Sequence, residues 1–210
     1  MFDQSLRPLI DPALNRAGRQ LAVRGVTADQ VTLAGLALGL VAALVLALGG
    51  PGLVALVPLV AGRLADGLDG AIARATRKTD FGGYLDIACD FAFYGAIPLA
   101  FALRDPANAV AAAFLLFSFY VNAASFLGYA VMAEKRGMTT TAQGQKSLYY
   151  AAGLLEGAET IAFFVLLCLW PAIFAPAAWV FGVLCLVTAG ARVLLSRAAF
   201  SAPQGPGGET

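Results

Sequence analysis

The sequence predicts an all-α integral membrane protein, a six-helix bundle preceded by an N-terminal amphipathic juxtamembrane helix. Two observations carry that prediction. Of 210 residues, 60% are hydrophobic and only 13% are charged, and the mean hydropathy is +0.77, a balance suited to lipid rather than to a soluble core. The apolar residues also gather into six stretches, each near the ~20 residues that a span needs.

Residues 1–24 mix Asp3 and Asp11 with Arg7, Arg16, Arg19 and Arg24, and hold no compact apolar run of the kind a cleavable signal has. Leu6, Leu9, Ile10, Ala13, Leu14, Ala17 and Leu21 fall on one helical face, while Pro8 and Pro12 weaken the first turns. Such a helix either lies on the cytoplasmic surface with its arginines toward anionic headgroups or packs against the bundle. The six apolar segments follow at residues 31–48, 53–75, 81–103, 107–133, 148–170 and 176–195. The first ends at Gly49-Gly50-Pro51, and the connections are short except 134–147. The expected division is a juxtamembrane helix at 1–26, a six-span membrane domain at 27–200 and a Pro/Gly-rich disordered tail at 201–210.

Basic residues set the orientation. With six spans both termini share one side, and that side collects Arg7, Arg16, Arg19, Arg24, Arg74, Arg77, Lys78, Lys135, Arg136, Lys146 and Arg197. The other side has Arg104 beside Asp105. Both termini are therefore expected in the cytoplasm of a multi-pass protein of the inner (cell) membrane. The net charge of +1 suggests no polyanion and no nucleic-acid partner. Cys89, Cys168 and Cys185 lie in apolar runs without metal-ligand spacing and read as buried thiols. There is no histidine, so acid–base chemistry falls to carboxylates, Lys, Tyr or water.

Against this background four aspartates stand out. Asp66, Asp69, Asp86 and Asp90 sit within spans two and three. Each Asp at a span centre costs about 2.5–3.5 kcal/mol, so four cost on the order of 10 kcal/mol without compensation. At the rise of a helix, Asp69 and Asp66 lie roughly 8 and 12 Å above Arg74, and Asp86 and Asp90 roughly 9 and 15 Å above Asp80. All four share a band in the cytoplasmic half. Asp66 and Asp69 are i,i+3, and Asp86 and Asp90 are i,i+4, so two adjacent antiparallel helices can aim them at one point. Gly67, Gly70, Ala73, Gly82 and Gly83 allow close approach of backbone or ligand. Clustered carboxylates need neutralising, and hard oxygen ligands without His or Cys select Mg²⁺, Mn²⁺ or Ca²⁺. Arg74 is placed to reach a phosphate.

The pattern Asp66-x-x-Asp69-Gly70-x-x-Ala73-Arg74, then Gly82-x-x-x-Asp86-x-x-x-Asp90, resembles the signature of the CDP-alcohol phosphotransferase family. The motif covers about 25 residues, and the span count and motif position extend the likeness to most of the chain. One departure is the gap of seven residues between Arg74 and Gly82, where the family has eight or so; the loop at 75–81 can absorb a deletion. The resemblance implies a phospholipid-synthesis transferase with two bound Mg²⁺ or Mn²⁺ ions and a homodimeric assembly. A CDP-linked substrate, CDP-diacylglycerol above all, would donate to an alcohol with release of CMP, at a site facing the cytoplasm. By position, Asp66, Asp69 and Asp86 would be metal ligands. Asp90 would be the general base and a further metal contact. Gly70, Ala73, Arg74 and Gly82 would shape the nucleotide pocket.

Family members that use a phosphorylated acceptor place basic residues near the inner end of span four. Here none occurs before Lys135, which favours an unphosphorylated acceptor such as serine, inositol or an amino alcohol over glycerol 3-phosphate. Glu156 and Glu159 in span five could hold an acceptor ammonium or pair with Arg63 or Arg192. Arg63, three residues before Asp66, balances charge in the cluster. Arg192 could instead meet an acceptor anion, Tyr149 and Tyr150 suit an interfacial belt, and Trp170 and Trp179 suit the outer interface. The alternative from another class is a cation transporter with the aspartates as its ion site. It leaves Gly70, Ala73 and Arg74 without a role.

Overall fold

The computed structural model describes residues 2–137 and 157–201. Lys146, Tyr149, Tyr150 and Glu156, the first part of the fifth apolar segment and the tail from 202 onward lie outside the described residues. The described residues form seven α-helices and two single 3-10 turns, with no strand among them. They are α1 (Phe2–Val23), α2 (Ala28–Ala47), α3 (Gly52–Ala75), α4 (Asp80–Arg104), α5 (Ala109–Lys135), α6 (Gly157–Leu169) and α7 (Phe174–Phe200). The 3-10 turns, Pro106–Asn108 and Pro171–Ile173, each begin with proline and reverse the chain between helices.

Four of these helices are long and apolar enough to cross a membrane: α2, α4, α5 (extended by the preceding turn) and α7. The expected count of six spans is not confirmed among the described residues, and the fifth apolar segment begins outside them. At 24 residues α3 is long enough, but it carries Arg63, Asp66, Asp69 and Arg74. The described part of α6 is 13 residues, or about 20 Å of helix. The outward faces agree with a lipid environment. Leu33, Leu40, Val41 and Leu44 on α2 and Val180, Val183, Val187 and Leu194 on α7 are all exposed, a pattern that water would not tolerate.

Local chemistry fixes the helix starts that matter for the site. Thr27 caps α2 in a capping box: its hydroxyl accepts from Gln30 N at 3.3 Å, and Gln30 Oε1 accepts from Thr27 N at 3.1 Å. Thr79 caps α4 and accepts from Gly82 N at 3.0 Å. Pro8 and Pro12 both lie inside α1, which runs unbroken from Phe2. Each proline removes a donor and crowds the carbonyl four residues before it, and contact with α3 supports the helix along its later turns.

The packing centres on α2, which lies against both α3 and α4; α5 pairs with α7. Gly35 and Gly62 permit the closest approach of α2 and α3. A Cβ on Gly62 would come 2.8 Å from the Gly35 carbonyl oxygen. Gly39 likewise leaves room for the Phe93 ring, 2.6 Å from where its Cβ would be. Beyond Asp90, α4 turns from polar to aromatic. Phe93, Ile97 and Phe101 are fully buried in a cluster with Phe164, Leu167 and Phe174, and Phe101 stacks on Phe174 with centroids 4.3 Å apart. At the far end, Arg104 Nη1 donates to the Gly50 carbonyl at 2.8 Å and so ties α4 to the end of α2. The polar site thus sits at one end of the bundle and the dry aromatic core at the other.

Candidate active site

The two motif helices do not pack directly along each other. Each packs on α2, and α3 and α4 have little backbone contact. The sequence expectation of two adjacent helices is corrected here: α2 is the common wall, and the gap between α3 and α4 is where the carboxylates meet. Asp66, Asp69 and Asp86 each offer an oxygen, and these oxygens lie within 4.8 Å of one another.

Asp69 is buried, at 6% exposure. Its Oδ2 accepts a hydrogen bond from Thr32 Oγ1 of α2 at 2.5 Å, between two buried side chains. One oxygen of the carboxylate is thereby fixed. Asp90 stands outside this group of three. Its Oδ1 accepts from Arg63 Nη1 at 2.7 Å, across 27 residues of sequence and from α3 to α4. The same Nη1 lies 3.6 Å from Asp66 Oδ1. Arg63 is itself confined: its side chain is 10% exposed, its guanidinium carbon lies 4.2 Å from the centroid of Phe93, and its Nε has no hydrogen-bond partner among the described residues. A desolvated cation over a ring gains about 2 kcal/mol or more, so Phe93 links the polar site to the aromatic core.

The charge balance tests whether the residues present fit a metal. Four carboxylates face one guanidinium among the described contacts, a net −3 in a partly desolvated pocket. The donor set is all carboxylate oxygen, which suits a hard divalent cation. Asp66, Asp69 and Asp86 therefore fit a divalent metal on charge, donor type and spacing.

Arg74, in the last turn of α3, donates from Nε and Nη2 to Asn15 Oδ1 of α1, at 3.3 and 3.0 Å. Gly70 sits under it, since a Cβ there would be 3.3 Å from Arg74 Nη1. Ala73 is half-buried beside them. Gly82 stands apart from this pair. The atoms around it belong to Thr79 and Asp29, not to Arg74, while Gly83 opens onto free space. Gly67 faces Leu14 of α1. Arg192 is held by α5, donating from Nη1 to Asn122 Oδ1 at 2.9 Å and Ser125 Oγ at 2.7 Å. Arg136 donates to the carbonyls of Ala199 and Phe200 at the end of α7. The three cysteines are buried free thiols, as expected.

A family model for CDP-alcohol phosphatidyltransferase matches residues 25–191. The chain belongs to the CDP-alcohol phosphatidyltransferase family. It is accordingly an enzyme of phospholipid head-group transfer, and the ion-transport reading is set aside. Inner membrane protein YnjF of Escherichia coli is 48% identical over 194 residues, 92% of this chain and 94% of that protein. An archaetidylinositol phosphate synthase of Pyrococcus horikoshii is 40% identical over 86 residues, 40% of this chain and 45% of that one. The fold is similar to that of Mycobacterium tuberculosis phosphatidylinositol phosphate synthase solved with CDP-DAG bound. There the TM-score is 0.64 and the identity 21%, with 94% of this chain and 96% of that chain covered.

Two residues of this phosphatidyltransferase site were not legible in its motif. Thr32 is one hydroxyl in an apolar run, and its only sequence signal is that a buried hydroxyl in a span seeks an acceptor. Asn15 lies on α1, 59 residues from the Arg74 it binds, and carries no signal of that partner.

Proposed function

We propose that the protein transfers a phosphatidyl group from CDP-diacylglycerol to a small unphosphorylated alcohol, releasing CMP. The observation that carries this is the convergence of Asp66, Asp69 and Asp86 within 4.8 Å, with Asp90 held beside them by Arg63. Asp66, Asp69 and Asp86 would hold Mg²⁺ or Mn²⁺. When bound, the metal supplies charge stabilisation on the attacking and leaving oxygens of the transfer. A net −3 leaves room for two ions once the substrate diphosphate is also present. Gly70, Ala73 and Arg74 would receive the cytidine nucleotide, with Gly82 at its edge.

Arg63 orients the carboxylate of Asp90 by holding Oδ1. Oδ2, which accepts no hydrogen bond among the described residues, is left for the acceptor. In the transfer, the acceptor hydroxyl oxygen forms the new P–O bond, its proton passes to Asp90 Oδ2, and the bond to CMP breaks with its electrons leaving on the CMP phosphate. A carboxylate within reach of the hydroxyl contributes about 10²–10⁴-fold as a general base. The basic loops support a cytoplasmic face for both termini and this site, where a water-soluble alcohol would meet a lipid-tailed donor. Residues 27–200 form the catalytic unit, with 1–26 lying along it. The exposed apolar helix faces would accommodate a homodimer.

The lack of a basic residue on α5 before Lys135 supports an unphosphorylated acceptor, since no cation on that helix stands ready to clamp an acceptor phosphate. A second reading, a phosphorylated acceptor such as glycerol 3-phosphate or an inositol phosphate, is favoured by the likeness to the archaetidylinositol phosphate synthase. Purified protein in detergent, given CDP-diacylglycerol and each of serine, inositol, ethanolamine, glycerol 3-phosphate and inositol phosphate, separates the two. Product from serine, inositol or ethanolamine is expected. Product from the phosphorylated alcohols alone would overturn the acceptor assignment.

Thr32 provides a narrower check. Valine has the same shape but cannot donate to Asp69. Thr32→Val is expected to weaken Mn²⁺ binding about 10-fold or more, as loss of a group orienting a metal ligand does. Thr32→Ser should stay near wild type. Mn²⁺ titration followed by electron paramagnetic resonance reads both, and equal affinities for Val and wild type would remove Thr32 from the site.

A further inference from the structure

We infer that Asn15 is a positioning residue for Arg74, so that the juxtamembrane helix forms one wall of the nucleotide site rather than serving only as a membrane-surface anchor. The inference rests on the assignment of Arg74 to the nucleotide pocket. It begins with the register of α1 on α3. Three contacts fall on one side of α1, within little more than one turn. Leu14 covers Gly67, where a Cβ would be 2.9 Å from Leu14 Cδ1. Gly18 sits on Ala71, where its own Cβ would be 2.7 Å from Ala71 Cβ and 2.9 Å from the Ala71 carbonyl carbon. Between them Asn15 reaches Arg74. A side chain at Gly18 would push the helices apart, so the small residue there sets the distance at which Asn15 can act.

The hydrogen bonds have a specific consequence. An exposed arginine at a helix end samples many rotamers, and a ligand that must order it binds more weakly. Asn15 Oδ1 accepts from both Nε and Nη2, which fixes the plane of the guanidinium before any ligand arrives. The Nη1 amine and one Nη2 hydrogen stay available. Asn15 and Arg74 line the same cleft with Arg19, Ala71 and Ala75, a space of about 280 Å³. A neutral acceptor orients Arg74 without cancelling its charge, which a carboxylate at position 15 would do. The chemistry recognised is an anionic oxygen of the cytidine nucleotide.

The test uses the full-length protein in detergent and CDP with Mn²⁺ as the probe. Asn15→Ala is expected to raise the CDP dissociation constant and the KM for CDP-diacylglycerol about 10-fold, with kcat within about twofold and Mn²⁺ affinity unchanged. That split separates positioning from general loss of structure. In an Arg74→Ala background the same Asn15→Ala change is expected to add nothing, because its only route is through Arg74. CDP binding by Asn15→Ala equal to wild type would overturn the inference alone. An equal loss in the Arg74→Ala background would also overturn it, by showing that Asn15 acts on the helix packing. Absence of metal-dependent CDP binding in the wild type would remove the nucleotide site itself, and the inference with it.

Discussion

Asp69→Asn is expected to lower acceptor-dependent CMP release by about 10³-fold or more, the equivalent of losing roughly 4 kcal/mol of charge stabilisation in the transition state. The substitution changes little else. Asparagine has the shape of aspartate and keeps an oxygen for the Thr32 hydroxyl, now at 2.5 Å from Asp69 Oδ2. It removes one of four carboxylates that face a single guanidinium. In the absence of divalent metal the fold should therefore be unharmed or slightly more heat-stable, since like-charge repulsion falls. Activity and stability move in opposite directions, which a residue kept for packing would not show. Asp86→Asn should behave the same way. Melting curves in EDTA beside CMP release in Mg²⁺ read both quantities, and turnover within threefold of wild type would remove Asp69 from the metal site.

Asp90→Asn is expected to separate binding from chemistry. The oxygens of the three-carboxylate group come from Asp66, Asp69 and Asp86, so the metal and the nucleotide should still bind, with CDP affinity within about threefold of wild type. The amide can accept from Arg63 but cannot take the acceptor proton, and the chemical step should slow by about 10²–10⁴-fold. Rapid-quench single-turnover measurement of CMP formation isolates that step. Normal single-turnover rates would show that the proton goes elsewhere, and loss of CDP binding would place Asp90 among the metal ligands after all.

The part of the site written into one short stretch was legible, because buried acids at i,i+3 and i,i+4 have no packing purpose in lipid. The pairing of Arg63 with the cluster followed from its place one turn before Asp66. Its stronger bond to Asp90 did not, because it joins two helices whose relative distance the motif does not set. Thr32 and Asn15 were invisible for a related reason. Their partners lie 37 and 59 residues away, and only the packing of α2 and α1 on α3 brings them close. Where both ends lie among the described residues, the helix boundaries followed the apolar segments to within about five residues. The span count is not confirmed at α3, where the residues proposed to build the site are the same ones that reduce its hydropathy.

The central claim is that these carboxylates hold a divalent metal that the transfer from a CDP-linked lipid requires. Its most direct test is CMP release from CDP-diacylglycerol by the purified protein, with and without an alcohol acceptor, in Mg²⁺ or Mn²⁺ and again in excess EDTA. The account predicts release that needs both acceptor and metal, stops with EDTA and returns when metal is restored. Acceptor-dependent release that continues undiminished in EDTA would contradict it.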